Sequence, residues 1–372
     1  MKSQAASSEE LSRRQWLVEA GGGMAGAVAA LAGGRLLEAS QGQGVSLGQA
    51  VSAGNLEGSS ASVSSESSPV SSESGAAEQR PEKPFRFALN TSTIMGQKLS
   101  VPEQIDVAAK AGYDGIEPWI RDLEAYQQSG GKLADVRKRL EDHNLAVVGA
   151  IGFSPWIVDD EAVRAKGLEQ MRREMEWVAQ LGGRWIAAPP AGATKAPIPL
   201  SAIAERYRRL LELGQQVGVI PQLEVWGASQ TLGRLAEAVY VAIETGHPQA
   251  GLLLDVYQLY KGGSSFEGLR LVAGSAMHTL HMNDYPSDPP RETINDSHRV
   301  YPGDGVAPLD RILQILYEIG FRGYLSLELF NREYWKQDAL QVARTGLEKM
   351  GAAVEKAMKN RLARRTSDLR KS

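Results

Sequence analysis

The sequence predicts a single (β/α)8 barrel over residues 85–358, and three observations support this fold class. Short apolar runs alternate with amphipathic segments eight times after Pro84, an order typical of parallel strands joined by crossover helices. Eight such units over about 275 residues match the usual size of the fold. Glycine follows the end of several predicted helices, as at Gly112 and Gly320, where a left-handed residue commonly ends a helix.

The predicted strands are short apolar runs, and amphipathic segments of helical period follow them. In chain order the predicted strands are 85–90, 112–119, 145–153, 184–190, 219–226, 251–257, 278–284 and 323–330. The predicted helices are 101–111, 133–143, 160–181, 200–217, 232–245, 266–272, 309–319 and 336–358. An open, doubly wound sheet is the alternative. It is disfavoured because no glycine-rich phosphate loop follows the first strand, and because eight units exceed what most open sheets carry.

Two segments precede the predicted barrel. Residues 1–38 place Arg13 and Arg14 just before a mildly apolar, glycine-rich run, which resembles a twin-arginine export signal. The alternative is a chance pair in an ordinary terminus. The run is too short and glycine-rich for a stable membrane span. We therefore expect the twin-arginine machinery to export the protein to the periplasm or the extracellular space. Residues 39–84 are rich in Ser and Gly and read as a flexible linker.

Composition excludes several classes of protein. The 372 residues include no cysteine, so the chain has no disulfide framework, thiolate metal site or Cys nucleophile. The formal net charge of −3 argues against a dedicated nucleic-acid partner, which would usually require a basic face. Residues 359–372 form a basic tail, and we interpret it as a solvated helix end. The pattern is compatible with a homo-oligomer as well as a monomer.

Polar residues stand where several predicted strands end. Barrel enzymes place their working residues at these carboxyl ends. Four of them come from four consecutive strands: Glu224, Asp255, His281 and Glu328. Three carboxylates this close together at apolar strand ends require a compensating cation. We therefore predict one divalent-metal site, although Arg, Lys or backbone donors could instead satisfy each acid separately. An oxygen-rich set with a single imidazole favours Mn²⁺, followed by Mg²⁺, Co²⁺ or Zn²⁺.

At these residues the sequence resembles the sugar isomerase and epimerase superfamily with a xylose-isomerase-like barrel. This group contains D-tagatose 3-epimerase, inosose dehydratase and hydroxypyruvate isomerase. The matching segments are QLEVW around Glu224, LLLDVY around Asp255, LHMND around His281, YPGDG at residues 301–305, and LSLEL around Glu328. The resemblance covers essentially all of residues 85–358. No single segment is specific, but the ordered set of four ligands is.

The resemblance implies metal-assisted proton transfer next to a carbonyl of a small carbohydrate, through a metal-stabilised enediolate. Glu224 and Glu328 would be both ligands and catalytic residues, one removing the proton and the other returning it. Many members of the superfamily have histidine three residues after the metal-binding aspartate. Here that position is Gln258, which can bond a hydroxyl but cannot carry a proton.

Other residues are weaker candidates. We expect Asn90, Glu117, Trp119, Trp226, Gln258, His298 and Arg299 to contact the substrate. His298 and Arg299 could equally belong to a plain solvated loop. Phe153, Trp156 and the other aromatics at strand ends suit a sugar ring, although each alone is more often barrel packing. We expect Asp284 to hold His281 in position without itself binding the metal.

Three other functions compete with an exported isomerase or epimerase. A lyase of the inosose-dehydratase or keto-sugar-eliminase type would begin with the same proton abstraction, so it stays open as the alternative. DNA repair is disfavoured, because endonuclease IV shares this barrel but needs a histidine-rich multi-zinc cluster. This chain has five histidines in all. A non-catalytic sugar-binding barrel is disfavoured by the presence of both Glu224 and Glu328.

Overall fold

The protein was analysed as a computed structural model that describes residues 84–369. The predicted export signal and all but the last residue of the predicted linker lie outside the described residues. Eight parallel strands form the centre of the fold. They are β1 (Arg86–Asn90), β2 (Gly115–Glu117), β3 (Ala146–Val147), β4 (Trp185–Ala188), β5 (Ile220–Glu224), β6 (Leu252–Asp255), β7 (Thr279–Met282) and β8 (Tyr324–Leu327).

The sheet closes on itself. The strand order is β3-β2-β1-β8-β7-β6-β5-β4, and β1 pairs with β8 in parallel register, with Leu89 opposite Leu327. At the remaining seam, the backbone N–H of Ala187 in β4 donates to the carbonyl of Ala150, just after β3, at 2.9 Å. Pairing between the first and last strands is the signature of a barrel. The fold-class prediction is therefore confirmed, and the open sheet is excluded.

Helices surround the strands. They are α1 (Val101–Ala111), α2 (Ile120–Gln128), α3 (Leu133–Asp142), α4 (Glu161–Gln180), α5 (Leu200–Val217), α6 (Leu235–Glu244), α7 (Val256–Lys261), α8 (Leu309–Glu318) and α9 (Ala339–Leu369). Helix α1 shows how local sequence sets these bounds. Ser100 and Glu103 form a capping box at its start, and Gly112 ends it at φ 98°, a conformation in which Cβ is disfavoured.

The sequence predicts the presence of every strand and the bounds of most helices within a few residues. The predicted strand 145–153 extends well past β3 (Ala146–Val147), and three further differences stand out. Helices α2 and α7 were not predicted. The predicted helix 266–272 is a 3-10 helix, Phe266–Leu271. The last helix continues to Leu369 and includes most of the predicted basic tail. No helix within residues 84–369 is both long and apolar enough to cross a membrane.

The strand interiors explain why the polar residues at their ends are held rigidly. Leu252, Leu253 and Leu254 are each at most 2% exposed, and they lead directly to Asp255. Asp255 also begins helix α7, accepting the backbone N–H of Gln258 at 2.9 Å through its side chain. The carboxylate is thus fixed between a packed strand and a capped helix.

Candidate metal centre and active site

The four predicted ligands lie at the carboxyl ends of four adjacent strands. Glu224 and Asp255 are the last residues of β5 and β6, His281 lies in β7, and Glu328 directly follows β8. Asp255 stands opposite His281 in the strand register. All four are buried, with at most 5% of their surface exposed. The barrel therefore gathers three carboxylates and one imidazole at its mouth, largely removed from water.

Three of these side chains form a compact cluster. Asp255, His281 and Glu328 each offer one ligand atom, and these atoms lie within 4.8 Å of one another. His281 Nδ1 is 3.1 Å from Glu328 Oε2 and 3.6 Å from Asp255 Oδ2. Glu224 lies outside this tight grouping, but it is close enough to interact electrostatically with all three.

The chemistry of the cluster fits a divalent ion. Ligands at about 2.0–2.3 Å from one ion lie at most about 4.6 Å apart, close to the spread found here. Two buried atoms at the site, Glu224 Oε2 and His281 Nδ1, have no well-directed hydrogen-bond partner among the described residues, and Nδ1 faces the Glu328 and Asp255 carboxylates. Buried polar atoms are normally satisfied. An ion bound between them would satisfy both.

Glu117 orients the imidazole from the opposite side. Its carboxylate is 1% exposed and lies at the end of β2. Glu117 Oε2 lies 3.0 Å from His281 Nε2 and accepts hydrogen bonds from Ser326 Oγ and Asn90 Nδ2, each at 2.9 Å. A carboxylate bound to the far nitrogen of a metal-ligating histidine fixes its tautomer and raises its basicity. This contact directs Nδ1 of His281 toward Asp255 and Glu328.

Two buried asparagines hold the carboxylates. Asn90 Nδ2 donates to Glu328 Oε1 at 3.2 Å as well as to Glu117, and its Oδ1 accepts the indole N–H of Trp119 at 2.9 Å. Asn283 Nδ2 donates to Asp255 Oδ1 at 3.1 Å. Asn90, Glu117 and the Trp119 indole are thus engaged with one another and with the cluster. The contact with substrate that the sequence suggests for these three residues stays a prediction.

Arg299 is the least expected member of the site. Its side chain is 1% exposed, and Nη1 donates to Asp255 Oδ2 at 2.8 Å and to Glu328 Oε2 at 2.7 Å. The guanidinium lies over the rings of Tyr257 and Phe330, 4.6 and 4.9 Å from their centroids. The solvated-loop alternative is therefore wrong for this residue. Arg299 supplies a fixed positive charge inside the cluster.

Electrostatics couples these groups. Burial raises the pKa of Glu224 to about 8, with Glu328 adding to the rise and His281 opposing it. Burial also raises the pKa of Glu328. For Asp255, the Arg299 guanidinium together with His281 outweighs the effect of burial and holds the pKa below its usual range. Burial would lower the pKa of His281, but the surrounding carboxylates raise it well above its ordinary value.

Aromatic side chains line one side of the mouth. The half-buried rings of Phe153 and Trp226 lie 5.9 Å apart, and the buried Trp119 ring lies 5.2 Å from Phe153. Trp156 does not belong to this wall. It is fully buried, donates to the carbonyl of Pro189 and is a packing residue. Half-exposed aromatic faces beside acidic oxygens suit the apolar face of a sugar ring.

Three further predicted residues have contacts other than those expected. The Asp284 carboxylate accepts four backbone N–H groups of its own loop, those of Tyr285, Gly303, Gly305 and Ala307. Among the described contacts it shapes this loop, whereas Glu117 supports His281. His298 is half-buried, and its Nδ1 lies 3.2 Å from backbone atoms of Asn295 in a turn. Gln258 is engaged at both ends of its amide, with Gly227 and Asp296.

Sequence reasoning missed Ser326, Asn283 and Asp296. The first two have a signal in the sequence, because residues two apart on a strand share a face. Ser326 precedes Glu328 by two positions and Asn283 follows His281 by two. Asp296 has no such signal, since it lies in an irregular loop.

Comparison with known proteins supports the site's family resemblance. The model of the family described as xylose isomerase-like TIM barrel matches residues 105–352. Inosose isomerase of Bacillus velezensis is 27% identical over 277 residues, which is 73% of this chain and 98% of the relative. 3-Dehydroshikimate dehydratase of Pseudomonas aeruginosa is 26% identical over 237 residues, 62% of this chain but 36% of that longer protein.

Solved structures show the same fold. The crystal structure of the IOLI protein with a bound zinc atom has a TM-score of 0.68 and 24% identity, covering 73% of this chain and 99% of the other. The relatives are thus enzymes of the sugar isomerase and dehydratase type, and a similar barrel holds a metal ion.

Proposed function

The chain belongs to the xylose isomerase-like TIM barrel family, and on that premise we propose that it is a divalent-metal-dependent isomerase or epimerase of a sugar or sugar derivative. One observation carries the proposal. Asp255, His281 and Glu328 form a buried ligand cluster at the barrel mouth, with Glu224 beside it. Manganese is the ion we propose first, because the set is rich in oxygen and has a single imidazole.

The two glutamates are the proposed acid and base. A divalent ion held by the four side chains would polarise a substrate carbonyl and an adjacent hydroxyl, and so acidify the neighbouring C–H bond. Glu224 has a buried carboxylate oxygen without a hydrogen-bond partner, so it can accept a proton from the substrate. Glu328 is held by Asn90 on one oxygen and by Arg299 on the other. It would return the proton from the opposite side.

The proposed substrate is a small polyhydroxy ketone. Phe153 and Trp226 offer aromatic faces at the mouth, and rings of this kind pack against the C–H face of a sugar. The similarity to an inosose isomerase over nearly the whole length of that relative makes inosose the first compound to test.

Solvent deuterium incorporation tests the proposed function. The purified full chain would be loaded with Mn²⁺ in D2O, and inosose would be followed by proton NMR. We expect loss of the C–H signal next to the carbonyl, and no loss after treatment with a chelator. Exchange that persists unchanged in the chelator-treated protein would overturn the proposed metal dependence. No exchange with inosose, ketoses or 3-keto-glycosides would overturn the isomerase reading.

A lyase is the second candidate, and the relationship to 3-dehydroshikimate dehydratase favours it. Elimination of water begins with the same proton abstraction. Mass analysis of the products separates the two candidates, because a lyase product is lighter by one water whereas an isomerase product keeps the substrate's mass.

We also propose that the protein acts outside the cytoplasm. This proposal rests on Arg13 and Arg14 and the apolar run behind them in the sequence.

A further inference from the structure

Gln258 and Asp296, near the mouth, form hydrogen bonds that the proposed reaction does not require. Gln258 Oε1 accepts the backbone N–H of Gly227 at 2.8 Å, and its Nε2 donates to Asp296 Oδ1 at 3.3 Å. Arg299 Nη2 donates to the same Asp296 oxygen at 2.5 Å. A continuous chain of hydrogen bonds therefore runs from the loop after β5, through Gln258 and Asp296, to the buried guanidinium.

The Gly227 end of this series of hydrogen bonds is packed too tightly to shift. A Cβ added to Gly227 would lie 2.3 Å from the carbonyl oxygen of Gln258 and 2.5 Å from the nitrogen of Gly262. The backbone after β5 thus rests directly on helix α7. Because Trp226 immediately precedes Gly227, the aromatic wall and the Gln258 amide are fixed relative to one another.

The other end carries Arg299 on a long loop between β7 and α8. A side chain on such a loop needs several anchors to keep one position. The Arg299 backbone carbonyl accepts Asn331 Nδ2 at 3.0 Å. On the guanidinium, Nη1 is taken by Asp255 and Glu328, and Nη2 by Asp296. Charge-assisted bonds of this kind are stronger and more directional than neutral ones.

We propose that Gln258 and Asp296 form a clamp that fixes the Arg299 guanidinium against Asp255 and Glu328, and that Asp296 is therefore a positioning residue of the site. The simpler alternative is that Asp296 is an ordinary surface acid, since 39% of its side chain is exposed. Asp296 differs from a surface acid because it shares the guanidinium with two predicted ligands. Without it, the guanidinium can shift, and the Asp255 and Glu328 oxygens that it orients lose the fixed arrangement that an ion needs.

Manganese affinity, measured by calorimetry on the full chain, tests the clamp. Asp296→Ala should weaken Mn²⁺ binding about tenfold, at the lower end of the 10- to 100-fold range seen when partners of metal ligands are lost. Asp304→Ala is the matched control, because this acid lies in the same loop and pairs with Lys349 at the surface. The control should change affinity by no more than about twofold. Asp296→Asn keeps an oxygen acceptor for Arg299 and Gln258 and should fall between Asp296→Ala and the parent.

A double-mutant cycle shows whether Asp296 acts through Arg299. The ammonium of Arg299→Lys cannot bridge both the ligand pair and Asp296, because it lacks the planar fork of the guanidinium. In that background Asp296→Ala should weaken binding by about twofold or less. An equal loss in both backgrounds would show a direct charge effect and overturn the clamp. So would parent-like affinity in Asp296→Ala.

The clamp proposal rests on the proposed function only in assuming that the site binds a metal ion. The clamp and the proposed function can therefore fail separately. Thermal unfolding of the metal-free variants gives a second readout. Asp296→Ala should lower the Tm by about 2 °C or more in the parent background, and by clearly less beside Arg299→Lys. A parent that binds no Mn²⁺ would overturn the proposed function, and the unfolding cycle would still decide the clamp. Equal Tm losses in both backgrounds would overturn the clamp.

Discussion

Replacing Glu117 by glutamine is the sharpest perturbation of the candidate metal centre that leaves its ligands in place. Glu117 is 1% exposed, and its Oε2 faces three donors, on Asn90, Ser326 and His281, at 2.9 to 3.0 Å. The amide oxygen of glutamine can still accept these bonds. Glutamine lacks the negative charge of Glu117 that makes His281 a stronger base. Its N–H2 group also adds donors to a site that already contains several.

The size of the effect follows from that loss. Removing a group that orients a metal-ligating histidine weakens metal affinity about 10- to 100-fold, which corresponds to about 1.4 to 2.7 kcal/mol. We expect the Mn²⁺ affinity of Glu117→Gln to fall within this range. Calorimetric titration of the chelator-treated protein with Mn²⁺ measures it directly.

Glu174→Gln is the matched control. Glu174 is 2% exposed and is held by Ser154 Oγ at 3.0 Å and Gln170 Nε2 at 2.7 Å, but it contacts none of the predicted ligands among the described residues. It therefore experiences the same chemical change at similar burial and should bind Mn²⁺ like the parent. Parent-like affinity in Glu117→Gln, or equal weakening in both variants, would refute the role of Glu117 in orienting the imidazole.

Further predictions concern catalysis, protons and export. Glu328→Gln and Glu224→Gln should each reduce deuterium exchange into inosose by about 100-fold or more. The two losses should not add in the double variant, because both residues serve one proton transfer. Full exchange in either variant would show that the residue is a ligand only. The pKa of His281 is raised well above its ordinary value and that of Glu224 to about 8, so the metal-free site holds protons that binding must release. Mn²⁺ affinity should therefore rise with pH between about 6 and 8, and the binding heat should depend on the buffer's ionisation enthalpy; a pH-independent affinity would contradict this. Changing Arg13 and Arg14 to lysine should retain the protein in the cytoplasm, as cell fractionation would show, because the export receptor reads the guanidinium pair; undiminished export would remove the twin-arginine assignment.

The barrel and the positions of the four predicted ligands could be read from sequence because both follow from local pattern. Runs such as Leu252–Asp255 are apolar up to the last residue, and the barrel rule places that residue at the mouth. Helix α2 was missed because Ile120–Gln128 is short and mostly polar, with few apolar positions to mark its period. Helix α7 was missed because its first two residues, Val256 and Tyr257, continue the apolar run of the predicted strand 251–257.

The partners of the ligands could not be read in the same way. Glu117 and His281 lie 164 positions apart and meet across the barrel interior, a contact that no periodicity encodes. Asp284 was expected to support His281 because it is near in sequence, yet the strand end turns its carboxylate into its own loop. Arg299 was recognised as a candidate, but its burial depends on the path of a long irregular loop.

The central claim is that Glu224, Asp255, His281 and Glu328 bind one catalytic divalent ion. A crystal structure of the Mn²⁺-loaded protein, with anomalous diffraction collected at the manganese edge, tests it most directly. We predict one peak at the barrel mouth, with the three carboxylates and His281 Nδ1 each about 2.0–2.3 Å from it. A peak elsewhere, or Mn²⁺-soaked crystals in which two of these side chains point away from it, would contradict the account.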